Sequence, residues 1–148
     1  MCDTASVQDL LQAPIARSSR VLLVDDAARS RKGMMALLAT CPGLQVTGEA
    51  ANGDEALAQI ELNCPDVVVM DARMPRLDVR AATRLIKDRW PEVRVIILSM
   101  YALHEDEALA AGADAFLVKG CAPEALFGAI LGAPTFRARS PGTSIPPI

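Results

Sequence analysis

The chain has 148 residues, a formal net charge of −3 and a pI near 5.1. This length suits one domain, and the acidic balance provides no basic field that would attract nucleic acid. Hydrophobic residues make up 51% of the chain but aromatic residues only 3%, so the core must be built from aliphatic side chains.

The first half of the domain contains three strand patterns and two helical patterns. Aliphatic runs predict strands at residues 21–24, 44–50 and 67–70. Apolar residues at i, i+3, i+4 and i+7 predict a helix face over residues 34–41, between the first two strands. Asn52 and Glu55 form a helix-start pattern, so we expect a second helix to begin there and to end before Pro65.

The second half continues the alternation. Aliphatic runs predict strands at residues 93–98 and 115–118. Asp78 is expected to cap a third helix that carries Ala82, Leu85, Ile86 and Arg89, and a short fourth helix spans residues 105–111. Pro123 begins the last helix, which runs to about residue 132. Strict β-α alternation predicts an α/β fold, a three-layer αβα sandwich around a doubly wound, parallel five-stranded sheet.

Both ends of the chain fall outside this alternation. Residues 1–19 are predicted to be a flexible N-terminal extension, and the Pro-rich residues 133–148 a disordered tail or linker. The domain itself is therefore expected at residues 20–132. No apolar run is long enough to span a membrane, and no secretory pattern opens the chain.

The four cysteines are scattered and form no C-x-x-C pair, and only one histidine is present. A zinc site is therefore poorly supported. We expect reduced cysteines that fill space in a cytoplasmic protein.

Polar residues directly follow four of the five predicted strands. Asp25 and Asp26 follow the first strand, Asp71 the third, Ser99 the fourth and Lys119 the fifth. Ligands of open α/β sheets bind outside the carboxyl ends of the strands, and these side chains converge there if strands one and three are neighbours. Clustered carboxylates call for a cation such as Mg²⁺, and one of them can attack phosphorus. The set predicts a Mg²⁺-dependent phosphoryl-transfer site.

Four segments together resemble the signature blocks of response-regulator receiver domains. They are residues 21–26 (VLLVDD), 70–75 (MDARMP), 97–99 (ILS) and 111–120 (AGADAFLVKG). Residues 48–57 and 98–101 resemble the branch that is usually fused to LuxR-type DNA-binding domains. The resemblance covers roughly residues 18–132 and implies a flavodoxin-like sheet of order 2-1-3-4-5.

The resemblance also implies a metal site. Asp71 would accept the phosphoryl group and would ligate Mg²⁺ together with Asp26 and the backbone carbonyl of Arg73. Asp25 would act partly through water.

Three further residues would couple phosphorylation to a change of shape. By the resemblance, Lys119 would pair with the phosphoryl group and Ser99 would bond it after transfer. Phe116 would be the aromatic residue that turns inward when Ser99 moves. The only histidine, His104, lies in the polar stretch LHEDE, which predicts a solvated helix start.

The implied function is phosphorelay signalling. A histidine kinase or a phosphotransfer protein would supply the phosphoryl group, and the chain would be a switch rather than an enzyme, apart from catalysing its own phosphorylation and dephosphorylation. Its output would pass to a downstream protein or to a C-terminal output domain beyond this chain, and receivers of this kind often pair with a second copy. Direct binding to nucleic acid or membrane is not expected.

Three positions depart from the family pattern. Val79 replaces a usual glycine, Gly120 replaces a common proline, and the segment 99–112 is about two residues short. Val79 and the short segment favour a second hypothesis, a degenerate receiver that acts as a phosphorylation-independent adapter. A hydrolase with an aspartyl-phosphate intermediate is a third, although the first strand lacks the D-x-D spacing of such phosphatases.

Overall fold

The computed structural model describes residues 18–74 and 78–132. The strands are β1 (Ser19–Val24), β2 (Leu44–Ala50), β3 (Val67–Asp71), β4 (Arg94–Ser99) and β5 (Ala115–Val118). The helices are α1 (Ala28–Leu38), α2 (Gly53–Asn63), α3 (Val79–Arg89), α4 (Glu105–Ala110), which follows a 3₁₀ turn at Ala102–His104, and α5 (Pro123–Leu131). The predicted tail and nearly all of the predicted N-terminal extension lie outside the described residues.

All five strands are parallel and lie in the order β2-β1-β3-β4-β5. The predicted α/β fold and strand order are confirmed. Because β1 lies between β2 and β3, the residues that follow β1 and β3 are brought side by side at the carboxyl edge of the sheet.

Side-chain caps fix the starts of two helices where the sequence predicts them. Asn52 Oδ1 accepts the N–H of Glu55 at 2.9 Å, and Glu55 Oε1 accepts the N–H of Ala51 at 2.8 Å. Asp78 Oδ1 caps α3 by accepting the N–H groups of Arg80 and Ala81 at 3.0 and 3.3 Å. The N–H of Ala81, helped by the N–H and the charge of Arg80, lowers the pKa of Asp78.

The sheet divides the core into two layers. Alternate strand residues pack under α2, α3 and α4 in what we call the first core layer, which includes Leu22, Val24, Val68, Met70, Val95 and Ile97. The remaining strand residues pack under α1 and α5 in the second core layer, which includes Val21, Leu23, Val67, Val69, Ile96 and Leu98. Successive residues of a strand point to opposite faces, so each strand contributes to both layers.

Helix α3 buries a polar side chain and leaves an apolar one partly exposed. Leu85 is 39% exposed, whereas Thr83 is fully buried beside Ile86. Among the described residues, the Thr83 hydroxyl has no hydrogen-bond partner. A buried hydroxyl without a partner costs free energy, so this position is a weak point of the first core layer.

Replacing Thr83 by valine should therefore stabilise the protein. The side chain keeps its shape and loses the unpaired hydroxyl, so we expect the free energy of unfolding in urea to rise by about 1 kcal/mol. Thr40→Val is the matched control, because the Thr40 hydroxyl donates to the carbonyl of Leu37 at 2.7 Å and its loss should bring no gain. A drop in the stability of Thr83→Val would contradict the prediction.

The cysteines only partly follow the prediction. Cys41 and Cys121 are free thiols, but Cys64 is disulfide-bonded, so the expectation of reduced cysteines is wrong at Cys64. No helix in residues 18–74 and 78–132 is long and apolar enough to cross a bilayer.

Candidate functional site

Three carboxylates meet at the carboxyl edge of the sheet. Asp25 and Asp26 follow β1, and Asp71 ends the neighbouring strand β3. One oxygen of each carboxylate lies within 4.8 Å of one oxygen of both others. Asp25 and Asp71 are buried, whereas Asp26 is exposed. Like charges held this close, and partly out of water, favour the binding of a cation.

Lys119 faces two of these carboxylates. Its Nζ lies 3.1 Å from Asp71 Oδ2 and 3.9 Å from Asp25 Oδ2. Its backbone N–H donates to the carbonyl of Ser99 at 2.7 Å, which continues the pairing of β4 and β5. Gly120 has a φ of +93°, and this conformation, open to glycine, turns the chain directly after the lysine. One ammonium offsets only part of the negative charge of three carboxylates.

An open cavity of about 470 Å³ lies over the carboxylates. Asp26, Asp71 and Lys119 give it a polar base, and Met74 and Met100 form apolar walls. Arg73 also lines this cavity, and its backbone N–H donates to Asp71 Oδ1 at 3.1 Å. The volume is sufficient for a phosphoryl group and a hydrated cation.

Asp25 is held in place by contacts that no sequence motif predicts. Its Oδ1 accepts the N–H of Ala27 at 2.9 Å, and its Oδ2 accepts the hydroxyl of Ser30 at 2.7 Å. Arg31 donates from Nη1 to the Asp25 carbonyl at 2.6 Å and pairs through Nε with Glu49 at 2.7 Å. These residues lie at the start of α1 and on β2, where only the tertiary structure links them to the carboxylates.

The hydroxyl of Ser30 should matter for cation binding, because it orients Asp25. Removing a group that orients a metal-site carboxylate commonly weakens metal binding, and we expect Ser30→Ala to raise the Kd for a divalent cation about 10-fold. Isothermal titration calorimetry with Mg²⁺ measures this directly. Ser30→Thr keeps the hydroxyl and should bind Mg²⁺ as the unmodified protein does; equal affinities for Ser30→Ala and Ser30→Thr would contradict the role of Ser30.

Ser99 is not turned toward this cavity. It continues the alternation of Val95 and Ile97, which face the first core layer, and it is almost completely buried. Its Oγ lies 2.6 Å from Nδ1 of His104 and accepts the N–H of Tyr101 at 3.0 Å. Of the predicted site residues, Asp25, Asp26, Asp71 and Lys119 therefore converge, whereas Ser99 is engaged elsewhere.

His104 directly precedes α4 as its N-cap residue, which confirms the predicted helix start, but the prediction that His104 is solvated is wrong. The 3₁₀ turn at Ala102–His104 folds back over the end of β4, so the imidazole is only partly exposed and reaches Ser99. The polar residues around His104 are typical of an exposed segment and do not predict this contact. The one indication in the sequence is a histidine five residues after the serine that ends β4.

Phe116 lies on β5, two residues before the carboxyl end of that strand. It pairs in register with Ile97 of β4 and packs, partly buried, against the first core layer. It therefore lies on the same face of the sheet as Ser99.

The fold and the site together place the chain among doubly wound α/β proteins with an acidic site at the carboxyl edge of the sheet. The model of the response regulator receiver domain family matches residues 21–131. The chain belongs to this family.

Individual proteins similar to this chain are also response regulators. The response regulator UvrY of Escherichia coli (strain K12) is 38% identical over 112 residues, which are 74% of this chain and 51% of UvrY. The structure of a LuxR-family two-component response regulator from Aurantimonas sp. SI85-9A1 is 33% identical with a TM-score of 0.73, and the match covers 78% of this chain and 84% of that one. The response regulator domain of Thermotoga maritima CheB is 32% identical with a TM-score of 0.71, covering 84% of this chain and 100% of that one.

The chain spans about half the length of the curated relatives that it matches. The similarity thus concerns the receiver part of those proteins.

Proposed function

We propose that this chain is a phosphorelay switch that accepts a phosphoryl group on Asp71 in a Mg²⁺-dependent reaction. The observation that carries the proposal is the placement of Asp71, which lies beside two further carboxylates and 3.1 Å from the ammonium of Lys119, at the base of an open cavity. Membership of the receiver family, whose proteins serve two-component signalling, supports the same function.

The residues at the site fit Mg²⁺. This cation prefers oxygen ligands and keeps several waters, and three carboxylates lie close enough to share one ion. We assign Asp26, Asp71 and the backbone carbonyl of Arg73 as direct ligands and Asp25 as a ligand acting partly through water. Bound Mg²⁺ would neutralise charge on the carboxylates and on the phosphoryl oxygens.

The chemistry of transfer follows from the nucleophile and its neighbours. A carboxylate oxygen of Asp71 attacks the phosphorus of the donor, the bond from phosphorus to the donor nitrogen or oxygen breaks, and an acyl phosphate forms on Asp71. Lys119 pairs with a phosphoryl oxygen as negative charge develops there. Ser99 then bonds the phosphoryl group, and Phe116 turns inward as Ser99 moves.

The donor would be a phosphohistidine of a histidine kinase or a phosphotransfer protein. The chain's only histidine is held against Ser99, so the phosphohistidine must belong to another molecule. The modified domain, residues 20–132, would act on a downstream protein or on a C-terminal output domain, because full-length relatives are about twice as long as the match. We propose that the protein is cytoplasmic and that it does not turn over an external substrate. We also propose that two copies of the chain pair as a mode of output.

The test is phosphorylation by a small donor. We expect incubation with Mg²⁺ and either acetyl phosphate or phosphoramidate to add one phosphoryl group to each chain, as measured by intact mass, and EDTA to prevent the addition. If no phosphoryl group is added and calorimetry also detects no Mg²⁺ binding, the proposal fails, and the adapter hypothesis takes its place.

A further inference from the structure

We propose that His104 is a positioning residue that acts as a latch on Ser99. In the state described here it holds the Ser99 hydroxyl by a hydrogen bond; when Ser99 turns to a phosphoryl group on Asp71, the imidazole is released into a neighbouring cavity. The inference rests on the proposed function, since it concerns the response to phosphorylation.

The first step of the argument is that the single proton of the Ser99 hydroxyl is already committed to a hydrogen bond within the protein. Its Oγ lies 2.6 Å from His104 Nδ1, accepts the N–H of Tyr101 at 3.0 Å, and has the carbonyl of Tyr101 at 3.3 Å as a further acceptor. A hydroxyl has one proton and two lone pairs. Ser99 can therefore donate to a phosphoryl oxygen only after it gives up a bond that it already makes, and the shortest of these is the bond to His104.

The second step is that His104 links Ser99 to helix α4. His104 is the last residue of the 3₁₀ turn, and Glu105 is the first residue of α4. The ring of Tyr101 meets the imidazole edge-on, with centroids 5.7 Å apart and planes at 84°. Breaking the Ser99–His104 bond thus removes a side-chain hydrogen bond between the start of α4 and the end of β4.

The third step is that a second position for the imidazole exists. His104 lines a cavity of about 230 Å³ that also borders Thr83, Asp78 and Glu107. The Thr83 hydroxyl is fully buried and has no partner in the described part of the chain. The cavity gives the imidazole room to turn toward Thr83, whose hydroxyl lacks a hydrogen bond. In the proposal the latch therefore has two discrete arrangements, as a switch requires.

Imidazole ¹⁵N NMR tests the latch directly. His104 is the only histidine in the sequence, so the tag-free protein gives one pair of ring-nitrogen resonances. We expect the Nδ1 resonance of the Mg²⁺-loaded protein to shift when beryllofluoride, a phosphoryl mimic, is added. We expect Ser99→Ala to show a displaced Nδ1 resonance already without beryllofluoride.

Affinity for beryllofluoride gives a second readout. His104→Leu removes the hydrogen bond but keeps much of the bulk, so Ser99 is free to turn, and we expect beryllofluoride to bind about five-fold more tightly. His104→Asn places an amide near the position of Nδ1, and its affinity for beryllofluoride should stay within about two-fold of that of the wild-type protein. Thr83→Val removes the partner of the released ring and should bind beryllofluoride about two- to five-fold more weakly.

The outcomes separate this inference from the proposed function. If saturating beryllofluoride shifts the backbone amides around Asp71 but leaves the imidazole resonance and the affinity of His104→Leu unchanged, the latch is wrong and the phosphorelay switch stands. If Thr83→Val binds beryllofluoride as tightly as the unmodified protein, the second position of the ring is wrong. If neither beryllofluoride nor a phosphodonor affects the protein at all, the proposed function itself is wrong.

Discussion

Asp71→Asn should abolish phosphorylation by acetyl phosphate or phosphoramidate. The amide keeps the size and shape of the side chain, but it offers no anionic oxygen to attack phosphorus. Asp71 is buried beside Lys119 at the base of the cavity, and an amide of the same shape fits this position. We therefore expect the variant to fold and its mass to stay unchanged in the presence of Mg²⁺ and donor.

Asp88→Asn is the matched control for this experiment. Asp88 lies on α3 and is exposed, so its substitution changes the net charge by the same amount without touching the carboxylate cluster. We expect one phosphoryl group on this variant. Continued Mg²⁺-dependent labelling of Asp71→Asn would move the nucleophile to Asp25 or Asp26 and would overturn the assignment of Asp71.

Lys119→Met should separate phosphoryl transfer from cation binding. The ammonium lies 3.1 Å from Asp71, where it can stabilise charge on the transferring group, and losing such a group typically slows a reaction about 100-fold or more. We therefore expect the initial rate of labelling at saturating Mg²⁺ to fall about 100-fold. Mg²⁺ affinity should be equal or higher, because the carboxylates lose a competing positive charge.

Intact-mass kinetics and calorimetry measure the two quantities independently. Lys32→Met, an exposed substitution on α1, controls for the change in net charge and should leave both unchanged. An unaltered labelling rate for Lys119→Met would rule out the proposed role of the ammonium, and weaker Mg²⁺ binding would show that Lys119 organises the carboxylates instead of competing with the cation.

The parts of the structure that the sequence predicts well are those set by local chemistry. Continuous apolar runs such as residues 67–70 identify buried parallel strands, and Asn52 and Asp78 cap helices through contacts within a few residues. The meeting of Asp25 and Asp71 follows from strand order alone, because the ends of neighbouring parallel strands share one edge of the sheet.

The parts that could not be predicted depend on tertiary contacts. Hydropathy favours Leu85 over Thr83 for a buried position, but α3 buries Thr83 and leaves Leu85 partly exposed. The contact between Ser99 and His104 requires the chain to fold back after β4, and no periodic pattern encodes that turn.

The presence of glycine at position 120 is explained by the structure and not by the sequence pattern. Its φ of +93° falls in a region that other residues rarely adopt, so the residue after Lys119 serves a sharp turn. The glycine that stands in place of the family's common proline is thus explained by backbone geometry.

The division of the core into two layers has a consequence for how the molecule communicates. Along β3, Asp71 continues the row of Val67 and Val69 in the second core layer, whereas Ser99 and Phe116 belong to the first. The sheet is therefore a partition: in the proposed switch, a rearrangement that begins at Ser99 would spread beneath α3 and α4, and we expect the packing of α1 and α5 to stay in place. One side of the protein would then keep a single shape through the proposed signalling cycle, so that recognition and reporting would not compete for the same surface.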